Sequence, residues 1–93
     1  MVRRLLLFGL VLGIVNFLAF VAISEHLGGD ALNGRVINGH YFLGSHGHYT
    51  EVSQRAFQYS RWHAISIFVT LPIGFVCART LRLRKRLLDW LGF

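Results

Sequence analysis

Two apolar blocks, each of membrane-spanning length and each followed or preceded by arginine, constrain this chain more than any other feature. The first, Leu5 to Ile23, reads LLLFGLVLGIVNFLAFVAI and holds no charged residue. As an α-helix it covers about 28 Å at about 1.5 Å per residue, close to the roughly 30 Å hydrocarbon core of a bilayer. The second, WHAISIFVTLPIGFVCA from Trp62 to Ala78, covers about 25 Å on the same arithmetic. Of the 93 residues, 54% are hydrophobic and 15% charged, and the apolar ones are gathered into these blocks. That is the makeup of a small integral membrane protein.

The formal charge of +6 comes from ten basic and four acidic side chains. Arg3, Arg4, Arg79, Arg82, Arg84, Lys85 and Arg86 lie immediately outside the apolar blocks, at the two chain ends. Arg35, Arg55 and Arg61 lie between the blocks, balanced by Glu25, Asp30 and Glu51. Basic residues flanking spans stay on the cytoplasmic side. Both termini are therefore expected in the cytoplasm and the connection outside it, in a bacterial-type inner membrane, and no nucleic-acid partner is expected. The run Ala22-Ile23-Ser24 resembles a signal-peptidase site, but the apolar run before it exceeds the roughly 7 to 15 residues of a signal sequence. A retained first span is expected.

The expected fold is a two-transmembrane-helix antiparallel hairpin with a short β-hairpin or three-stranded extracytoplasmic segment and a C-terminal basic amphipathic helix. In residues, 1–4 form the cytoplasmic N-terminus, 5–24 the first span, 25–60 the periplasmic β-containing loop, 61–78 the second span and 79–93 the amphipathic helix. Leu83, Leu87, Trp90 and Leu91 recur at helical spacing in that tail. Arg82, Arg84, Lys85, Arg86 and Trp90 are its candidates for anchoring to anionic phospholipid at the cytoplasmic face. Pro72 lacks the N–H that a helix would pair with Phe68, which predicts a bend in the second span. Cys77, the single cysteine, has no intrachain partner and reads as a small packing residue.

In lipid, helices associate by close backbone approach through small residues. The first span offers Gly9 and Gly13; the second offers Ser66, Thr70, Gly74 and Ala78 at intervals of four. Paired antiparallel, these faces set Gly13 opposite Thr70 and bring Asn16 near Ser66, so Asn16 is expected to hydrogen-bond Ser66 or Thr70.

The connection carries two Asn-Gly pairs. Asn38-Gly39 lies between Arg35-Val36-Ile37 and His40-Tyr41-Phe42-Leu43, and Asn-Gly between β-forming runs is a strong hairpin signal because a type I′ turn requires positive φ twice. The expected register sets Ile37 against His40, Val36 against Tyr41 and Arg35 against Phe42. Tyr49 to Ser53 supplies a third strand after a Gly44–Gly47 turn, and Ser53 is the expected N-cap of a helical lead-in to the second span. Val36, Ile37, Tyr41, Phe42 and Tyr49 are the candidate partner-docking residues of this sheet.

His40, His46 and His48 fall close together and are the candidate metal ligands, should His46 and His48 share a strand face. His26 and His63, near the outer ends of the spans, are the candidates for axial haem ligation. The spacing matches no metal motif, and no cofactor is expected. The chain shows no phosphate-binding loop, nucleophile motif or paired acids, so no catalytic residue is assigned and no enzyme is expected. The favoured reading is a non-catalytic accessory, stabilising or assembly subunit of a larger inner-membrane complex or homo-oligomer. A metal- or haem-binding membrane protein and a holin-like membrane-active protein are the alternatives.

Overall fold

The computed structural model describes residues 1–92. Helix α1 (Val2–Leu27) leads into strands β1 (Asp30–Ile37), β2 (His40–Ser45) and β3 (His48–Val52), and helix α2 (Gln54–Leu91) closes the chain. The molecule measures 64 × 23 × 18 Å, its length set by the 38 residues of α2. Both helices are long and apolar enough to cross a membrane.

The helices run antiparallel. Along the contact, Gly9 of α1 meets Cys77 of α2, Gly13 meets Thr70 and Gly74, Asn16 meets Ser66, and Phe20 meets His63. Only 11% of the most apolar stretch of each helix is buried, so one helix covers a narrow stripe of the other and leaves the rest open.

Local chemistry sets where the elements start and stop. Gly28 adopts a left-handed conformation (φ 91°) and its N–H returns to the Ser24 carbonyl, ending α1. Ser53 caps α2, its hydroxyl accepting from the Ala56 N–H at 3.1 Å. Asn38 and Gly39 take φ values of 49° and 78°, the two consecutive positive values that a tight hairpin turn demands. Arg35 then pairs with Phe42, Val36 with Tyr41 and Ile37 with His40, the register expected from the sequence.

The second turn differs from expectation in its position. Strand β2 continues through Gly44 to Ser45, which pairs with His48. The turn is His46-Gly47, with φ values of 48° and 82°. It repeats the two-positive-φ geometry with histidine in place of asparagine, a residue type that tolerates the left-handed region better than most.

Strand β1 is irregular. Asp30 pairs with Gly44 and Arg35 with Phe42, so five steps along β1 answer two along β2, and the excess bulges out. The Asp30 carboxylate holds the bulge by accepting from the Asn33 backbone N–H at 3.1 Å and from its side-chain amide at 3.0 and 3.1 Å. A Cβ at Gly44 would collide with the Asn33 carbonyl, so glycine is what lets the two strands approach here.

The sheet shows one face to the helices. Leu43 on that face is fully buried, and Tyr41 beside it packs on Phe57 of α2, ring centroids 5.3 Å apart. On the other face Arg35 and Tyr49 meet across Gly44, the guanidinium 4.4 Å from the ring centroid.

One expectation is corrected. The second span and the basic tail, expected as two segments divided at Arg79, form one helix: α2 runs without a break from Gln54 to Leu91, through Pro72 and past Arg79. Nothing between Thr80 and Leu91 breaks a helix, since neither Gly nor Pro occurs there and leucine and arginine are strong helix formers. The final residue of the expected tail, 93, lies outside the described residues.

Candidate functional site

The most organised constellation lies between the helices, along about three turns of α2 below the sheet. Helical spacing places Tyr59, His63, Ser66 and Thr70 along one side of α2, and antiparallel packing sets Asn16 of α1 against them. His63 Nε2 lies 3.0 Å from Asn16 Oδ1, which requires the imidazole proton on Nε2. Nδ1 is then the acceptor for the Tyr59 hydroxyl at 2.7 Å. The Asn16 amide donates to Ser66 Oγ at 3.0 Å and to Thr70 Oγ1 at 2.9 Å. Ser66 in turn donates to the His63 carbonyl at 2.6 Å. The result is a directed ladder, Tyr59 to His63 to Asn16 to Ser66 and Thr70, in which the Tyr59, His63, Asn16 and Ser66 donors each have an acceptor. Among the described residues no buried side-chain nitrogen or oxygen lacks a partner.

Below the ladder the helices touch through backbone. Gly9, Gly13 and Gly74 are buried. A Cβ on Gly13 would stand 2.8 Å from the Thr70 carbonyl oxygen and 3.2 Å from the Gly74 Cα, so the closest approach is built on hydrogen atoms where other residues carry methyl groups. At the next turn a Cβ on Gly9 would meet Cys77 Sγ at 2.5 Å. Cys77, and not Ala78, is therefore the residue opposite Gly9. An interval of four residues advances 400°, about 40° beyond one turn, so the stripe Ser66, Thr70, Gly74, Ala78 drifts around the helix, while the contact line steps back to Cys77. Ala78 lines an apolar groove at the side of the helix pair, with Leu10, Gly13, Leu71 and Phe75.

A second anchor joins α2 to the sheet. Ser60 is 2% exposed, and its hydroxyl accepts from the Ala31 backbone N–H at 2.9 Å. This bond holds the β1 bulge on the helix. Sequence reasoning missed Ser60, since one serine in a polar lead-in carries no signal until the bulge beside it is known. It also missed the inward side of His63, although His63 and Ser66 stand three residues apart on a helix and so share a face.

The docking residues divide. Val36, Ile37 and Tyr49 are exposed, whereas Tyr41 is turned toward Phe57 and Phe42 is half-buried. Leu32, in the β1 bulge, joins the exposed set. Arg82, Arg84, Lys85, Arg86 and Trp90 all lie exposed on the last turns of α2.

The histidines do not converge. His40 and His48 occupy opposite ends of the β2–β3 pair, and His46 is in the turn, not on a strand. His40 Nδ1 instead lies 3.2 Å from Glu51, both side chains largely exposed, and such surface pairs contribute little. Among the described residues no three His, Cys, Asp or Glu side chains are grouped as a metal site. The haem pairing fails on depth: His63 is level with Phe20, ring centroids 5.2 Å apart, and His26 is six residues, about 9 Å, farther along α1. Both nitrogens of His63 are engaged within the ladder.

The ladder and the glycine contacts thus position two helices against each other. No protein family, curated protein or solved structure matches the chain, so this geometry carries the functional reading.

Proposed function

We propose that the protein is a non-catalytic accessory or stabilising subunit of a larger complex in an inner membrane, its helices spanning the bilayer and its sheet standing outside the cytoplasm. The basic residues of both chain ends gather at one end of the helix pair and the sheet at the other, which supports the positive-inside orientation. Arg4 to Glu25 and Arg61 to Arg79 enclose about 32 Å and about 27 Å of helix, matching the hydrocarbon thickness.

One observation carries the subunit reading. The hairpin satisfies its polar groups and its small-residue contacts within itself, yet the sheet leaves Leu32 56%, Val36 51%, Ile37 46% and Tyr49 46% exposed. Ile37 and Tyr49 stand on the face turned away from the helices and Val36 on the side of Tyr41, and exposed apolar side chains on a sheet with open edges suit contact with another protein. The hairpin acts as a stiff post that presents this surface at a set height.

The test is native electrophoresis of membranes extracted in mild detergent. The wild-type chain migrates with a larger species, and the Val36→Ser/Ile37→Thr variant, changed only at exposed positions, migrates free. A wild-type chain that runs as a monodisperse monomer from native membranes contradicts the proposal.

A further inference from the structure

We propose that the cleft between the basic ends of α1 and α2 binds the headgroup phosphate of an anionic phospholipid. This rests on the hairpin lying in a membrane, and it replaces diffuse attraction by the tail with a defined site that includes α1.

The cleft, about 420 Å³, is walled by both helices: Arg3 and Leu7 from α1, and Leu81, Arg84, Lys85 and Asp89 among the residues from α2. Three cations from two elements meet there over a leucine floor. Asp89 offsets one of them, leaving a net positive site. None of the three is held in a direct ion pair, because the only one among the described residues is His40–Glu51 at the far end of the molecule. Lys85 and Asp89 stand one turn apart on α2 without pairing, so Lys85 keeps its donors free.

Position decides the ligand class. The cleft lies at the end of the apolar stretch, where Leu7 and Leu81 continue toward the helix surfaces that lipid chains would cover, so a molecule with an anionic head and an apolar tail fits both parts. Basic pockets between spans on the cytoplasmic side suit such headgroups. The face bearing Arg79, Arg82 and Arg86 is also basic, but α2 alone builds it, and a single helix face gives a phosphate no second wall.

The test is native mass spectrometry of the full chain in detergent, titrated with phosphatidylglycerol or with phosphatidylcholine of the same acyl chains. One phosphatidylglycerol is retained in preference to phosphatidylcholine. Near a membrane surface each basic residue is worth about 1 kcal/mol, or roughly fivefold in affinity. Arg3→Gln should therefore weaken retention about fivefold and Arg84→Gln/Lys85→Gln about 25-fold, while Arg4→Gln/Arg79→Gln, which removes as many charges from the same end outside the cleft, changes it less than twofold. Equal losses in the two double variants, or equal retention of the two lipids, overturn the proposal. Flotation with liposomes after an alkaline wash separates the two claims. A chain that does not float refutes membrane insertion, and with it the cleft; a chain that floats but shows no lipid preference refutes the cleft alone.

Discussion

Replacing Asn16 with leucine tests the polar ladder at its centre. The side chains are similar in size, so packing is largely kept while three hydrogen bonds are lost: those to Ser66 (3.0 Å) and Thr70 (2.9 Å), and that from His63 (3.0 Å). Between membrane helices such bonds average about 0.6 kcal/mol each, giving roughly 2 kcal/mol. The His63 N–H, left half-buried without an acceptor, adds about 1 kcal/mol or more. Asn16→Leu is thus expected to cost about 3 kcal/mol. Ser66→Ala or Thr70→Val, each leaving Asn16 one hydroxyl, costs about 0.6 kcal/mol. The Asn16→Leu/His63→Phe double variant removes donor and acceptor together and keeps the ring against Phe20, so it should be more stable than Asn16→Leu alone. Unfolding by added SDS in mixed micelles, followed by circular dichroism, measures these four and His63→Phe alone, which completes the cycle. A cost below about 0.5 kcal/mol for Asn16→Leu, or strictly additive costs in the double variant, would show that the ladder does not couple the helices.

The glycine contacts predict an inversion of the obvious order. Gly9→Ala makes the shorter clash, 2.5 Å, but against the Cys77 sulfur, whereas Gly13→Ala meets the Thr70 carbonyl at 2.8 Å. Gly13→Ala should be the more damaging, by about 1–3 kcal/mol as overpacking usually costs, and Cys77→Ala should restore Gly9→Ala but not Gly13→Ala in the same SDS titration. Ser60→Ala leaves the Ala31 N–H unpaired, at about 1–3 kcal/mol, and hydrogen exchange at Ala31 should accelerate while Ile37, paired with His40 beside the turn, stays protected; unchanged exchange at Ala31 would remove Ser60 from its anchoring role. His46→Asn, placed at φ 48°, should keep the sheet or stabilise it slightly, since asparagine is favoured at this turn position, and NMR shifts of β2 and β3 report it; collapse of the sheet would mean that His46 has a role beyond the turn.

The elements that the sequence made legible are those whose cause is local. Asn38-Gly39 needs no neighbour to demand a tight turn, and alternation then assigns the partners of Arg35, Val36 and Ile37. Gly13 and Asn16 were readable because a helix is regular enough for depth to be counted from its ends. What could not be read depends on contacts distant in the chain. The bulge at residues 31–34 exists because β1 must reach both Gly44 and Ser60, and no pattern in DALNG alone announces that. His46 gave a misleading signal, since Gly44 reads as a turn residue where the structure uses it to let Asn33 approach. The tail at Arg79 was separated from α2 because its chemistry changes there, yet helix continuity depends on backbone propensity, which does not change.

Side-specific labelling of the two ends tests the central claim, that the hairpin stands across a membrane with its sheet outside. Single cysteines at His48 in the sheet and at Trp90 near the end of α2, both exposed, are placed in a Cys77→Ala background and treated with an impermeant maleimide in intact spheroplasts. His48→Cys should label before lysis and Trp90→Cys only after it. Labelling of both before lysis, or recovery of the chain in the soluble fraction, would contradict the account.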